Sequence, residues 1–184
     1  QALHAAARAH DRRGQQTALL PFLLAHFGLP TIRHIVRVIY AEGFTRDQIA
    51  RLAPEVVRIA ADDAVARRIV SDGGARLAEI AVGTIRQLHA PGTPVDVFPT
   101  GGVFAAGPLL MDPFRARLAH TWPTARIRTP RFPPVVGALI QALRTLGDDI
   151  SPALLDRIGA TLHAPLAGPG SVGDRPETAP RTWL

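Results

Sequence analysis

The sixteen residues Val95 to Leu110, VDVFPTGGVFAAGPLL, decide how this chain is read. Val95, Val97 and Phe98 lead up to a Gly101-Gly102 pair, and Pro108 suits the first position of a helix. Strand, glycine turn, helix is an arrangement with which many α/β proteins hold a nucleotide, because ligands bind beyond the carboxyl ends of parallel strands. Glycines there let a ligand approach the backbone, and free amides can face phosphate oxygens.

The same pattern continues on either side. A helix over 108–120 and a second strand over 125–129 complete a βαβ unit. The alternation Ala125, Arg126, Ile127, Arg128 gives that strand one exposed face, which places it near a sheet edge. Phe132-Pro-Pro then leads into a helix over 135–146. Ser151-Pro152 opens a shorter helix that Gly159 is expected to end.

Upstream, residues 1–90 read as helix almost throughout. An alanine-rich segment runs to Arg12. A second spans 18–27 and stops at Gly28, and a third, 31–40, carries Ile32, Ile35, Val36 and Ile39 at helical spacing. Thr45-Arg-Asp-Gln48 fits a capping box, with Ile49 and Leu52 turned inward. Asp62 or Asp63 caps a long helix running to about His89, roughly 40 Å at ~1.5 Å per residue. Its expected inward stripe is Val65, Ile69, Gly73, Leu77, Ile80, Thr84 and Leu88. Gly73 and Gly74 each cost about 1 kcal/mol relative to alanine in a helix, so something is expected to pack tightly there.

Composition removes several chemistries. The 184 residues contain no cysteine, and all 21 basic residues are arginine. Thiol nucleophiles, disulfides, Walker A loops and Schiff bases are therefore excluded. The net charge of +6 is carried by arginines scattered singly or in pairs, mostly among helical positions, without longer basic runs. Solvated helix faces explain it, and no nucleic-acid partner is expected. No segment has the length of apolar sequence that a membrane helix needs, so a soluble, cytoplasmic protein with no membrane partner is expected. The seven histidines show no metal-ligand spacing. Asp62-Asp63 and Asp148-Asp149 read as helix-end carboxylates.

A sheet of two strands cannot cover so many amphipathic helices. The chain is therefore expected to be the carboxyl-terminal part of a larger protein. Residues 1–164 are expected to form one lobe, helical over 1–90 and strand-helix-strand-helix over 91–164, and 165–184 a flexible proline- and glycine-rich tail.

Taken in order, VFPTGGVFAAGPLLMDPFRARL and ARIRTPRFPPVVGALIQAL resemble the end of the BadF/BadG/BcrA/BcrD-type ATPase and N-acetylglucosamine kinase family. That family belongs to the sugar kinase, Hsp70 and actin superfamily. ALLPFLLAHFGL, VIYAEGFTRDQIARLAP and DDAVARRIVSDGGARLAEI are similar to its helical insertion and following long helix. The resemblance covers roughly residues 1–146. It implies an α/β, helix-rich, ribonuclease H-like (actin/Hsp70-type) ATPase lobe, incomplete here and carrying a helical insertion. It implies ATP and Mg²⁺ as cofactors, and an ATP site lined by Gly101, Gly102, Val103, Phe104 and Ala105, with Ala50 at the adenine. Gly137 and Ala138 match the closing helix.

Pro99 departs from the family pattern by removing one amide from the strand. The family's Asp-Gly-Gly-Gly-Thr phosphate loop, its second phosphate hairpin and its catalytic aspartate have no match, so no catalytic residue is assigned. Asp72-Gly73-Gly74 lies inside a helical stripe, follows no strand and is no substitute. The implied activity is ATP-dependent phosphorylation of an amino sugar, completed by an amino-terminal lobe of the same protein. The alternatives are an activator ATPase, whose usual iron–sulfur cysteines are absent here, and a non-catalytic helical binding module. Association as a homodimer is left open.

Overall fold

In the computed structural model, residues 1–35, 38 and 45–163 are described. The chain divides into two compact units, residues 1–131 and 132–184.

The first unit is built on two long helices. Helix α5 (Ala64–Leu88) packs along α6 (Pro108–Thr121). Asp63 starts α5 by accepting the Ala66 amide at 2.8 Å, a carboxylate N-cap at the positive end of the helix. The same carboxylate accepts the Ala18 amide at 2.7 Å, which ties the start of α2 (Leu19–Phe27) to the start of α5. Helix α1 (Ala2–His10) packs on α2, and α2 ends at Gly28 with φ 60, the left-handed cap that favours glycine. Between α2 and α5 lie α3 (Arg46–Ala50) and α4 (Ala53–Ile59). The capping box expected at Thr45 is present in both directions: Thr45 N donates to Gln48 Oε1 at 2.9 Å, and Gln48 N to Thr45 Oγ1 at 3.4 Å.

Strands β1 (Val95–Val97) and β2 (Ala125–Ile127) pair in parallel, with Val95 beside Ala125 and Val97 beside Ile127. Arg128 N extends the ladder to Val97 O at 2.9 Å. Val95, Val97, Ala125 and Ile127 lie on a core of Ala78, Val82, Ile85, Phe114, Leu118 and Trp122. Asp96, Arg126 and Arg128 face outward, as the alternation in the sequence implied. Trp122 Nε1 and Thr124 Oγ1 both donate to Thr93 O, at 2.9 and 3.0 Å, locking the approach to β1 against the approach to β2. The described residues thus form a helix-rich domain with a small two-stranded parallel sheet.

Three sequence expectations need correction. Of Ile49 and Leu52, both expected inward, Leu52 is buried but Ile49 is 42% exposed, because the short helix α3 turns that face away from the cluster Leu52 joins. The buried seam of α5 is Ala66, Val70, Gly74, Ala78, Val82 and Ile85, one residue later than the expected stripe. Ile80 and Leu88, expected inside, are 67% and 70% exposed. The reason is steric. A Cβ at Gly74 would fall inside the Leu110 carbonyl, whereas one at Gly73 would meet nothing within 4 Å. Small residues set the closest approach of the two helices, and hydrophobicity alone points to the larger side chains beside them.

The third correction concerns the last helix. In the second unit, α7 (Pro134–Thr145) is followed by α8 (Pro152–His163), which runs through Gly159 instead of ending there. A Cβ at Gly159 would sit 3.5 Å from the Phe132 ring, an ordinary van der Waals contact, so the helix simply continues through a glycine that it tolerates at a cost of about 1 kcal/mol. Of the helix expected over 31–40, a 3₁₀ turn at Ile32–His34 is seen. Residues 36, 37 and 39–44, like the expected tail at 165–184, lie outside the described residues.

Candidate functional site

After Val97, the chain leaves the sheet through Phe98-Pro99-Thr100 and reverses at Gly101, whose φ of 101 and ψ of 161 belong to a region that side chains rarely enter. A 3₁₀ turn, Gly102–Ala106, follows. Phe104 N bonds Gly101 O at 3.2 Å, and Gly107 N bonds Phe104 O at 3.1 Å. Gly107, with φ 66 and ψ −146, then redirects the chain into α6 at Pro108. The strained positions are therefore Gly101 and Gly107. Gly102 has no left-handed φ, so a side chain there would meet no backbone strain.

The turn is held from one side only. Phe104 sets its ring edge-on against Phe114, centroids 5.7 Å apart, and reaches both apolar clusters of the unit. Ala106 and Leu109 pack beside Val56, Ile59 and Ala60 at the end of α4. Gly101, Gly102, Val103 and Ala105 are exposed. A Cβ at Gly101 or Gly102 would meet nothing within 4 Å. One aromatic anchor thus fixes a backbone ledge whose outer side is open.

The five expected turn residues are brought together because they are consecutive. Ala50 is exposed at the last position of α3, immediately before α4, the helix that packs on the turn. Gly137 and Ala138 are exposed on α7, in the other unit. Among the described residues no group of three His, Cys, Asp or Glu could hold a metal ion. No helix among them is long and apolar enough to cross a membrane.

Sequence reasoning missed a groove of about 600 Å³ beside the turn, between the first turns of α5 and α6. Arg68, Ser71, Leu109, Asp112 and Pro113 line it. Neighbouring Arg67 is engaged with the carbonyls of Ala60 and Ala61, closing the end of α4. Asp112 pairs with Arg115 at 3.2 Å. The signal was present as a proline inside α6, Pro113, which has no amide for the carbonyl of Leu109 four residues earlier.

Asp63 is the most firmly held carboxylate of the unit. Burial alone would raise its pKa, but bonds from the Ala66 and Ala18 amides, the Thr17 hydroxyl and the Val65 amide lower it below the ordinary aspartate value. Its work is structural: it fixes two helix starts.

No family model matches the sequence. The chain is similar to the N-acetylmuramic acid/N-acetylglucosamine kinase of Clostridium acetobutylicum, with 29% identity over 143 residues. That alignment takes in 77% of this chain and 46% of the kinase, so the chain spans less than half the length of this curated relative. The similarity is a distant one, to a protein of the kind whose family the glycine turn and its neighbours resemble.

Proposed function

We propose that this chain is the carboxyl-terminal, nucleotide-binding part of an ATP-dependent amino-sugar kinase with a ribonuclease H-like, actin/Hsp70-type fold. The observation that carries the reading is the open ledge Gly101–Ala105 at the carboxyl end of β1. It is anchored from behind by Phe104 and has open space above Gly101 and Gly102, beside the exposed Val103. In parallel α/β units that is where ligands bind. The similarity to a kinase named for N-acetylmuramic acid and N-acetylglucosamine supports the choice of an amino sugar as acceptor.

In this proposal Gly101, Gly102 and Val103 border the ribose and base, Phe104 and Ala105 hold the shape of the ledge, and Ala50 borders the adenine. An amino-terminal lobe supplies the phosphate loop, the general base and the contacts to Mg²⁺. The metal supplies charge neutralisation at the phosphates. The chain's own share of catalysis is to bind and orient the nucleotide, since phosphoryl transfer proceeds chiefly by positioning and charge stabilisation.

The test is ADP release with ATP, Mg²⁺ and either N-acetylglucosamine or N-acetylmuramic acid. The 184-residue chain alone should show no turnover, and the chain joined to its amino-terminal lobe should. Turnover of about 1–100 s⁻¹, ordinary for kinases, from the chain alone would contradict the proposal. So would failure of the joined protein to bind ATP.

A further inference from the structure

The sheet has a second end. At the amino ends of β1 and β2, opposite the ledge, lies a pocket of about 580 Å³ whose lining includes Arg86, His89, Pro91, Gly92, Trp122 and Pro123. Helix α6, 14 residues long, runs from the ledge to this pocket, a separation of about 20 Å. The pocket is preformed. Trp122 is 5% exposed, and its Nε1 shares the Thr93 carbonyl with Thr124 Oγ1, at 2.9 and 3.0 Å. The two segments that enter the strands are thereby tied together in its wall. Gly92 turns there with φ 81, and a Cβ on it would meet nothing within 4 Å.

Its chemistry is of one kind. The rings of Pro91, Trp122 and Pro123 give it apolar walls, and its volume is that of a small-molecule site. No acidic side chain lines it. Among the described residues, neither the Arg86 guanidinium nor the His89 ring forms a hydrogen bond or ion pair. The carbonyl ends of α5 and α6 reach the same place and bear partial negative charge. Solvent screens those ends, whereas Arg86 offers paired N–H donors that a carboxylate meets directly. The helix ends still set a limit, so one negative charge suits the pocket and two do not. The geometry points to a binding site for a small aromatic monocarboxylate. Its ring lies against Trp122 and the two prolines, and its carboxylate lies on Arg86 and His89. A lobe that closes on a nucleotide meets the carboxyl ends of the strands, so it leaves this end open.

Benzoate is the probe, titrated into the nitrogen-15-labelled chain while the N–H resonances are followed. The chain has two tryptophans, and Trp183→Phe assigns the indole signal of Trp122. That signal and the amides of His89, Gly92 and Thr124 should shift together and saturate. A ligand this small should show a dissociation constant on the order of 1 mM. Benzamide, of the same shape without the charge, should bind at least about tenfold more weakly, and so should benzoate to Arg86→Met. Phenyl phosphate should bind no better than benzoate. Arg86 is exposed, so its substitution spares the core, and circular dichroism checks that it does. Shifts that fail to saturate by about 10 mM, benzamide binding equal to benzoate, or affinity indifferent to Arg86→Met would each overturn the inference. Phenyl phosphate bound more tightly than benzoate would overturn the choice of a single charge.

Discussion

The chain contains the dipeptide Gly-Gly at 73–74 and again at 101–102, and the two pairs do opposite work. At Gly74 there is no room: the backbone of Leu110 occupies the place a Cβ would take. At Gly101 and Gly102 there is nothing but room. The first pair lies mid-helix, where its second member lets α5 and α6 come together. The second lies past the end of a strand, where it keeps a ledge bare. A glycine kept for packing is revealed by what fills its missing side chain, and a glycine suited to a ligand by what does not. Sequence context separates the pairs only partly, because a strand precedes one and a helical pattern surrounds the other.

Substitutions should separate them by size and by sign. The largest effect belongs to Gly74→Ala. A methyl group there forces α5 away from the α6 backbone along a seam that buries Val70, Ala78 and Val82. A loss of about 3 kcal/mol or more is expected, measured by denaturant unfolding. A loss below about 1 kcal/mol would show that the seam is loose and that the two glycine pairs are alike.

Gly101→Ala comes next. It meets no atoms, but it must adopt φ 101, and such strain costs about 1–3 kcal/mol. Gly102→Ala, one residue later and without that φ, should be nearly neutral. Equal effects at 101 and 102 would contradict the backbone assignment.

Asp63 tests whether the start of α5 is held as firmly as its middle. Asp63→Ala removes a helix cap and the tie to Ala18, for an expected loss of about 1–2 kcal/mol. The pH dependence has a definite sign. Because the folded carboxyl titrates below its ordinary value, its contribution is complete above the unfolded pKa of about 3.9. It is lost as pH falls through the folded value. The variant should therefore show a shallower loss of stability in acid than the parent chain. The smallest effect is Gly73→Ala, which fills open space on a helix and should stabilise by about 0.5–1 kcal/mol.

Much of this was legible before any coordinates. A cap at Asp62 or Asp63, the box at Thr45 and the start of α6 at Pro108 are local signals, written in residues within four positions of one another, and the βαβ unit is a succession of such signals. The face of α5 was misread because it depends on a partner elsewhere in the chain. Val65, Ile69, Leu77 and Ile80 are the most hydrophobic line, but Ala66, Gly74 and Ala78 are the narrowest, and α6 approaches the narrow one. Gly159 was misread because a single glycine costs a helix only about 1 kcal/mol and need not end it. In the candidate site, the turn itself could be read from a glycine pair after a strand. Which glycine bears the strain, and that Phe104 anchors the ledge on Phe114, follow from packing and could not.

The central claim is that the bare ledge at Gly101–Ala105 receives ATP, and Gly102→Val tests it most directly. A Cβ at 102 meets no protein atom within 4 Å and the position has no left-handed φ, so the fold should survive valine there and any loss of binding reports on the ligand's space. The measurement is ATP affinity by calorimetry, on the chain joined to its amino-terminal lobe, parent beside variant, with circular dichroism confirming the fold. The account predicts that affinity falls at least about tenfold, or 1.4 kcal/mol, with the fold intact. Unchanged affinity in a folded Gly102→Val protein would contradict it and reduce the turn to a connection between β1 and α6.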